Sequence, residues 1–219
     1  MDRTGTRSRW VTAWSWLLLL ALLPACGCTA VATAYYVIKG TNVDAEFKGL
    51  RDKRVVVVCR PVAELSYRNS GVADQLADQI AMRLGAHVHK IDLVDPREVQ
   101  NWTDENAWDE FTEVGEALDA DIVVAIDLEE FSLYESQTLY RGKATSAIHI
   151  FDMRADGREI WSKHPPQSLY PPNASVDTGE MREPEFRNVF IDSLAEEIAR
   201  HFYDHDSRVD FASDVQTLR

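Results

Sequence analysis

Cysteine is scarce, with three in 219 residues, too few for a disulfide scaffold. Positive charge is also short. Lys plus Arg is 23 against 36 for Asp plus Glu, a formal net charge of −13. That balance excludes the broad basic face with which a protein displaces counterions from duplex nucleic acid. There is no Gly-rich phosphate loop, no nucleophile elbow and no cysteine-protease pattern. No catalytic set is complete, no cofactor motif is present, and there is no internal repeat. What remains is ordinary for one globular domain with an appended segment: 45% of residues are hydrophobic and 27% charged.

The charge is unevenly spread. Arg3, Arg7 and Arg9 face only Asp2 in the first ten residues, and the run from Val11 to Ile38 carries no charge at all. Its densest part is Trp16 to Leu23. A basic start, an apolar centre and then small residues form the pattern of an export signal, and the basic end stays in the cytoplasm. The run continues Leu23-Pro24-Ala25-Cys26-Gly27-Cys28. This resembles the bacterial lipobox, in which Leu at −3 and a small residue at −1 precede a cysteine that becomes acylated with palmitate-like chains. Cys26 is the preferred lipidation site and Cys28 the alternative. An uncleaved transmembrane helix is the competing reading, since about 20 apolar residues span a bilayer. Pro24, Gly27 and the Thr/Ala-rich stretch after Cys28 weaken that helix. Both readings put the rest of the chain outside the cytoplasm. The expected division is a signal peptide at 1–25, anchor cysteine and linker at 26–53, an α/β domain at 54–203, and a polar tail at 204–219.

Within the domain, Arg54 to Cys59 is β-branched and unbroken, as in a central strand covered on both faces. Ser66 to Gly71 is read as a loop. Ser70 is the expected N-cap of a helix whose stripe is Val72, Leu76, Ile80 and Leu84, with Gly85 at its C′ position. Val88 to Ile91 reads as a short strand. Asp95-Pro96 starts a helix that turns Val99 and Trp102 inward, and another is expected from about Asp109 to Leu118. Asp121 to Leu128 is the second strong strand. Tyr140 to Met153 and Arg158 to Lys163 flank Asp156-Gly157, a hairpin signal. Residues 164–184 hold five prolines and read as a long irregular loop. Glu185 to Tyr203 is a helix with Phe186, Val189, Phe190, Leu194, Ile198 and Phe202 on one face and Arg187, Glu196, Glu197 and Arg200 toward solvent.

Three segments carry a likeness. Arg54–Cys59 resembles a "K-V-A-V" first strand. Gly115 to Val124 resembles "G-x-x-L-G-A-D-Y-V-V", with Asp119 where the pattern has Gly. Arg141 to Asp152, followed by Gly157 to Trp161, resembles a "G-x-A-x-V-x-V-x-D … G-x-x-L-W" hairpin. By these and by element order, roughly 54–203 is similar to the family of envelope lipoprotein domains that includes CsgG, LpoB and the N-terminal domain of TolB. The resemblance implies a mixed β-sheet flanked by helices, with a late hairpin and a long C-terminal helix. It also implies a non-enzymatic, partner-binding role in the cell envelope.

The polar residues offer weaker signals. His201 and His205 have metal-ligand spacing on a helix, but no third ligand is near in sequence, and a charged imidazole at a helix end suits the dipole. His87 and His89 would share one side of a strand. Asp119/Asp121, Glu129/Glu130 and Asp204/Asp206 are acidic pairs of a kind common in so acidic a chain. Cys59 reads as a buried thiol. An extracytoplasmic hydrolase or metal protein would require Asp127, His149 or His205 to converge. The stretch holding Trp161, Leu169 and Tyr170 reads equally as a docking segment for an unidentified envelope protein or as a strap over the sheet. The expectation is therefore a lipid-anchored accessory domain with no catalytic, metal or cofactor residue assigned. Its oligomeric state stays open.

Overall fold

A computed structural model of the chain describes residues 42–61 and 71–206. Cys26, Cys28, the signal segment, Ser66–Ser70 and the tail beyond Asp206 lie outside the described residues. In chain order the elements are β1 (Asn42–Val43), β2 (Arg54–Pro61), α1 (Val72–His87), β3 (Asp92–Leu93), α2 (Pro96–Glu105) and α3 (Phe111–Ala117). There follow β4 (Ile122–Ser136), β5 (Leu139–Asp152), β6 (Arg158–Lys163), β7 (Ser168–Tyr170), β8 (Val176–Asp177), α4 (Glu183–Ala199) and β9 (His205–Asp206).

The sheet runs β3-β2-β4-β5-β6. β2 is parallel to β3 and β4, and the remaining pairs are antiparallel, so the sheet is mixed. One edge of β5 is paired in turn by β8, β7 and β6. Strand alternation sends Val55, Val57, Ile122, Val124, Ile148 and Ile150 to one face, where α1 and α4 cover them. Val56, Val58, Val123 and Ala125 point the other way, beneath α2 and α3. This is the α/β architecture expected, with β2 and β4 buried on both faces as their unbroken apolar runs require.

Local chemistry accounts for several element ends. Asp95 caps α2 by accepting from the Arg97 amide, with Pro96 in the first turn. Glu110 and Glu113 close a capping box on α3. Asp156 and Gly157 both take positive φ, 58° and 67°, which the tight hairpin turn demands. Asp119, at the position where the resembled pattern has Gly, takes φ 52°, a left-handed conformation that Gly adopts freely and Asp tolerates.

Other expectations are corrected. The segment Val88–Ile91 is not a strand: α1 continues through His87, and pairing begins only at Asp92. Gly85 is thus inside the helix, not at its C′ position. A Cβ there would sit 3.1 Å from a Leu93 methyl, so its smallness lets β3 pass close. The N-cap of α1 is Gly71, at φ 80° and without a side-chain cap. Residues 42–53 are more than a linker, because Leu50 is 1% exposed in the core and Phe47 packs on Trp161 and Phe202. The tail's first residues are held, since β9 pairs with β1. The proline-rich stretch is stitched to β5 by β7 and β8. Val189 leaves the apolar face of α4 and is 37% exposed.

Candidate functional site

Two places gather polar side chains. The first is a row across the face of the sheet that α2 and α3 only half cover. Arg60 continues the Val56–Val58 alternation of β2, so its side chain emerges where the helices stop. Its Nε donates to Asp127 Oδ1 at 2.9 Å, and its guanidinium lies 4.3 Å over the Phe111 ring. A second donation, to the Asp109 carbonyl at 2.6 Å, ties the loop before α3 to the sheet. Asp127 Oδ2 is 3.9 Å from His149 Nε2, and His149 Nδ1 is 3.1 Å from Glu159 Oε1. The His164 ring meets the His149 ring edge-on at 5.9 Å. Hydrogen bonds from Ser162 first, then His149, hold the Glu159 carboxyl below the usual range.

Asp127 and His149 therefore do come together. His205 does not join them, since it lies on β9 with Nδ1 3.3 Å from the Tyr203 carbonyl. Among the described residues no three His, Cys, Asp or Glu side chains could hold a metal ion. His201 and His205 do not share a helix: His201 sits in a 3-10 turn, Arg200–Phe202, and His205 on a strand. Burial, helped by Lys163, keeps the His201 imidazole below its ordinary range, against the pull of Glu46. His87 ends α1 and stacks on Tyr203 at 4.3 Å, so it does not pair with His89 on a strand. Burial raises the Cys59 thiol, with Asp74 and Asp127 adding to it, which favours the inert thiol form.

The second place is a groove of about 930 Å³ between the last turns of α1, the outer flank of α4, the stretch after β7 and the approach to β9. Its wall is an ion-pair network. Arg83 Nη2 reaches Asp192 Oδ1 at 2.5 Å and its Nε reaches Glu196 Oε2 at 2.8 Å. Glu196 also accepts from Arg200 Nε and the Tyr203 hydroxyl, both at 3.0 Å. Burial alone would raise the Glu196 carboxyl, but the donations of Arg200, Tyr203 and Arg83 outweigh it and hold it low. Glu196 and Arg200 thus belong to a half-buried network, not to a plain solvent face. Burial raises the neighbouring Glu197, which the Ser168 hydroxyl and Arg200 only partly offset.

The three residues of the suspected docking segment separate. Trp161 lies between Phe47 and Phe202, at 6.0 and 5.8 Å. Tyr170 faces Phe186 and Phe190 at 6.1 and 6.4 Å and lines the groove. Only Leu169, on the other side of β7, is turned outward, at 36% exposure. Reading the sequence missed Arg60, Glu159, Arg83 and Asp192. Arg60 was within reach by continuing the β2 alternation; Arg83 and Asp192 meet only when two helices far apart in the chain pack together.

No family model matches the chain, and no curated protein matches it. Among solved structures it is similar to the PelC dodecamer from Paraburkholderia phytofirmans, at 13% identity and TM-score 0.43 over 74% of this chain and 95% of that one. It is also similar to the lipoprotein GNA1162 from Neisseria meningitidis, at 11% identity and TM-score 0.41 over 67% and 97%. A third is protein XCC0632 from Xanthomonas campestris, at 9% identity and TM-score 0.40 over 72% and 86%. None of the three is CsgG, LpoB or TolB. Likenesses of this size say nothing about the activity, assembly or partners of this chain.

Proposed function

We propose that the chain is a bacterial lipoprotein whose body is a non-enzymatic accessory domain, binding a partner protein at the cell envelope on the extracytoplasmic side. Residues 1–25 are its signal peptide and Cys26, with Cys28 as the alternative, carries the lipid. The carrying observation is the uncharged run Val11–Ile38, with Leu23-Pro24-Ala25-Cys26 set shortly before the first described element, β1 at Asn42–Val43. Two or three acyl chains contribute roughly 0.8 kcal/mol per buried CH₂ and hold a protein at a membrane. No described helix is long and apolar enough to cross one. The polar rows of the body support the non-enzymatic part of the reading, because their charges are spent on each other: Arg60 on Asp127, and Arg83 on Asp192 and Glu196.

The test is mass spectrometry of the N-terminal peptide from solubilised membranes, combined with affinity purification. An acylated peptide beginning at Cys26 is expected, and Cys26→Ala should release the chain from the membrane. A cytosolic chain with residues 1–25 still attached would end the proposal. Leu169→Asp probes the docking edge of β7 without touching the inward Tyr170. Co-purified partners that are unchanged in this variant would remove Leu169 from the binding surface.

The hydrolase reading keeps one supporting observation, the Asp127–His149 contact of 3.9 Å. Asp127→Asn with an unchanged melting temperature should leave the protein's effect in cells intact. If that effect is lost while the fold holds, the enzymatic reading gains.

A further inference from the structure

The stretch that leads into the domain is fastened to the turn that follows α4. The amides of Glu46 and Phe47 both donate to the His201 carbonyl, at 2.9 and 3.0 Å. Around this point β1 pairs with β9, the Ala45 amide donates to Asp204 Oδ1 at 2.7 Å, and Lys48 Nζ meets the same carboxylate at 2.9 Å. The His201 side chain is 15% exposed, with the Trp161 ring at 6.3 Å. Its Nδ1 lies 3.2 Å from Glu46 Oε1, and the Lys163 ammonium holds the same oxygen. The Lys163 hydrogen bond keeps the Glu46 carboxyl below its usual range, and an ionised carboxylate only accepts. Nδ1 therefore carries the proton of the neutral ring, and Nε2 is a bare lone pair. That atom is buried and has no hydrogen-bond partner among the described residues.

A second proton has only Nε2 to go to. It would put an N–H donor where no described acceptor stands, and a buried donor left unmade is costly. Charge does not rescue it. Burial opposes the cation first and Lys163 next; Glu46, already shared with Lys163, offsets only part of this, and His205 adds to the opposition. We propose that His201 is a proton-operated latch, whose second protonation releases residues 42–48 from the turn Arg200–Phe202 and from β9 while the main sheet stays folded. Mild acid then gives the lead-in segment a freedom it lacks at neutral pH. The stability that the latch contributes is fully present above the ordinary histidine value of 6.5 and is lost as pH falls from there through the lowered folded value. The latch rests on neither the lipid nor a partner.

The test is hydrogen–deuterium exchange on the full chain purified in detergent. Mass spectrometry reads a peptide covering 42–50 and another covering 122–128 in β4, each corrected for the intrinsic effect of pH. From about pH 7.5 to about pH 5.5, protection of 42–50 should fall about tenfold while that of β4 holds. His201→Gln keeps an amide that can donate to Glu46 but takes no proton, so its protection should change less than about twofold over that range. No loss at 42–50, or the same slope in His201→Gln, would overturn the latch. Equal loss in both peptides would also overturn it, by reducing the effect to general acid destabilisation. Should His201→Gln not fold, the magnetic resonance titration of the His201 ring in the parent decides. A midpoint below 6.5 supports the latch, and one at or above 6.5 overturns it.

Discussion

The two faces of the sheet are built from the same strands and end up unlike. On one, α1 and α4 cover almost the full length of β4 and β5, and Phe186, Phe190, Phe131 and Tyr140 fill the space between. On the other, α2 and α3 are short, at 10 and 7 residues. They cover Val56, Val58, Val123 and Ala125 and then stop. Beyond them the alternation continues with Arg60, Asp127 and His149 in place of valine. The difference teaches that an alternating strand is buried only as far as something is there to bury it. Where the cover ends, the same parity delivers charges, and they pair across strands because their spacing allows it.

The sharpest way to break this contrast is to cut matching holes in both faces. Phe190→Ala should cost about 3–5 kcal/mol, because the ring is fully buried among Phe131, Tyr170 and Gly142. Val114→Ala, on the inner side of α3, should cost about 2 kcal/mol. Equal losses in chemical denaturation would show that the thinner side matters as much. Gly142→Ala tests crowding directly. Its Cβ would lie 2.5 Å from the Phe190 ring, and a loss of about 2 kcal/mol is expected from overpacking.

Arg83→Met comes next. It should cost about 1 kcal/mol by leaving Asp192 and Glu196 with fewer donors, while keeping the aliphatic packing between α1 and α4. Its pH dependence has a definite sign. The lowered Glu196 carboxyl contributes stability that is fully present above its ordinary value of 4.5 and is lost as pH falls through the lowered folded value. Thermal melts of the variant should therefore lose less on acidification than those of the parent. A larger acid loss in the variant would refute the network. The smallest effect belongs to the half-covered face. Arg60→Met removes a partly exposed pair and should cost about 0.5 kcal/mol. A loss as large as that of Phe190→Ala would mean that Arg60 clamps the loop before α3 far more firmly than its exposure suggests.

Much of this architecture was legible in the chain. The apolar runs at Val55 and Ile122, the Asp95-Pro96 start, the Asp156-Gly157 turn and, Val189 apart, the stripes of α1 and α4 are local patterns, and each sits where its pattern placed it. The errors share one cause. Gly85 looked like a helix end because glycine usually punctuates, yet it serves close passage of β3. Residues 42–53 looked like a linker because they are polar, yet Phe47 and Leu50 find places in the core. Val189 looked buried because it is apolar and nearly in register, yet no described element lies opposite it. Trp161 and Tyr170 read equally as part of a docking segment or of a strap, and each meets aromatic rings from distant parts of the chain, as a strap would.

Strand and helix periodicity, the acid excess and the uncharged leader can be read residue by residue, since hydrophobic patterning and turn chemistry act over a few positions. The groove, the Arg83 network and the Asp127–His149 contact could not be, because each joins side chains from segments separated by tens of residues. Which carboxylate meets which guanidinium is settled only when α1 packs on α4 and β4 pairs with β5, since distance and desolvation, not residue type, set what a charge contributes.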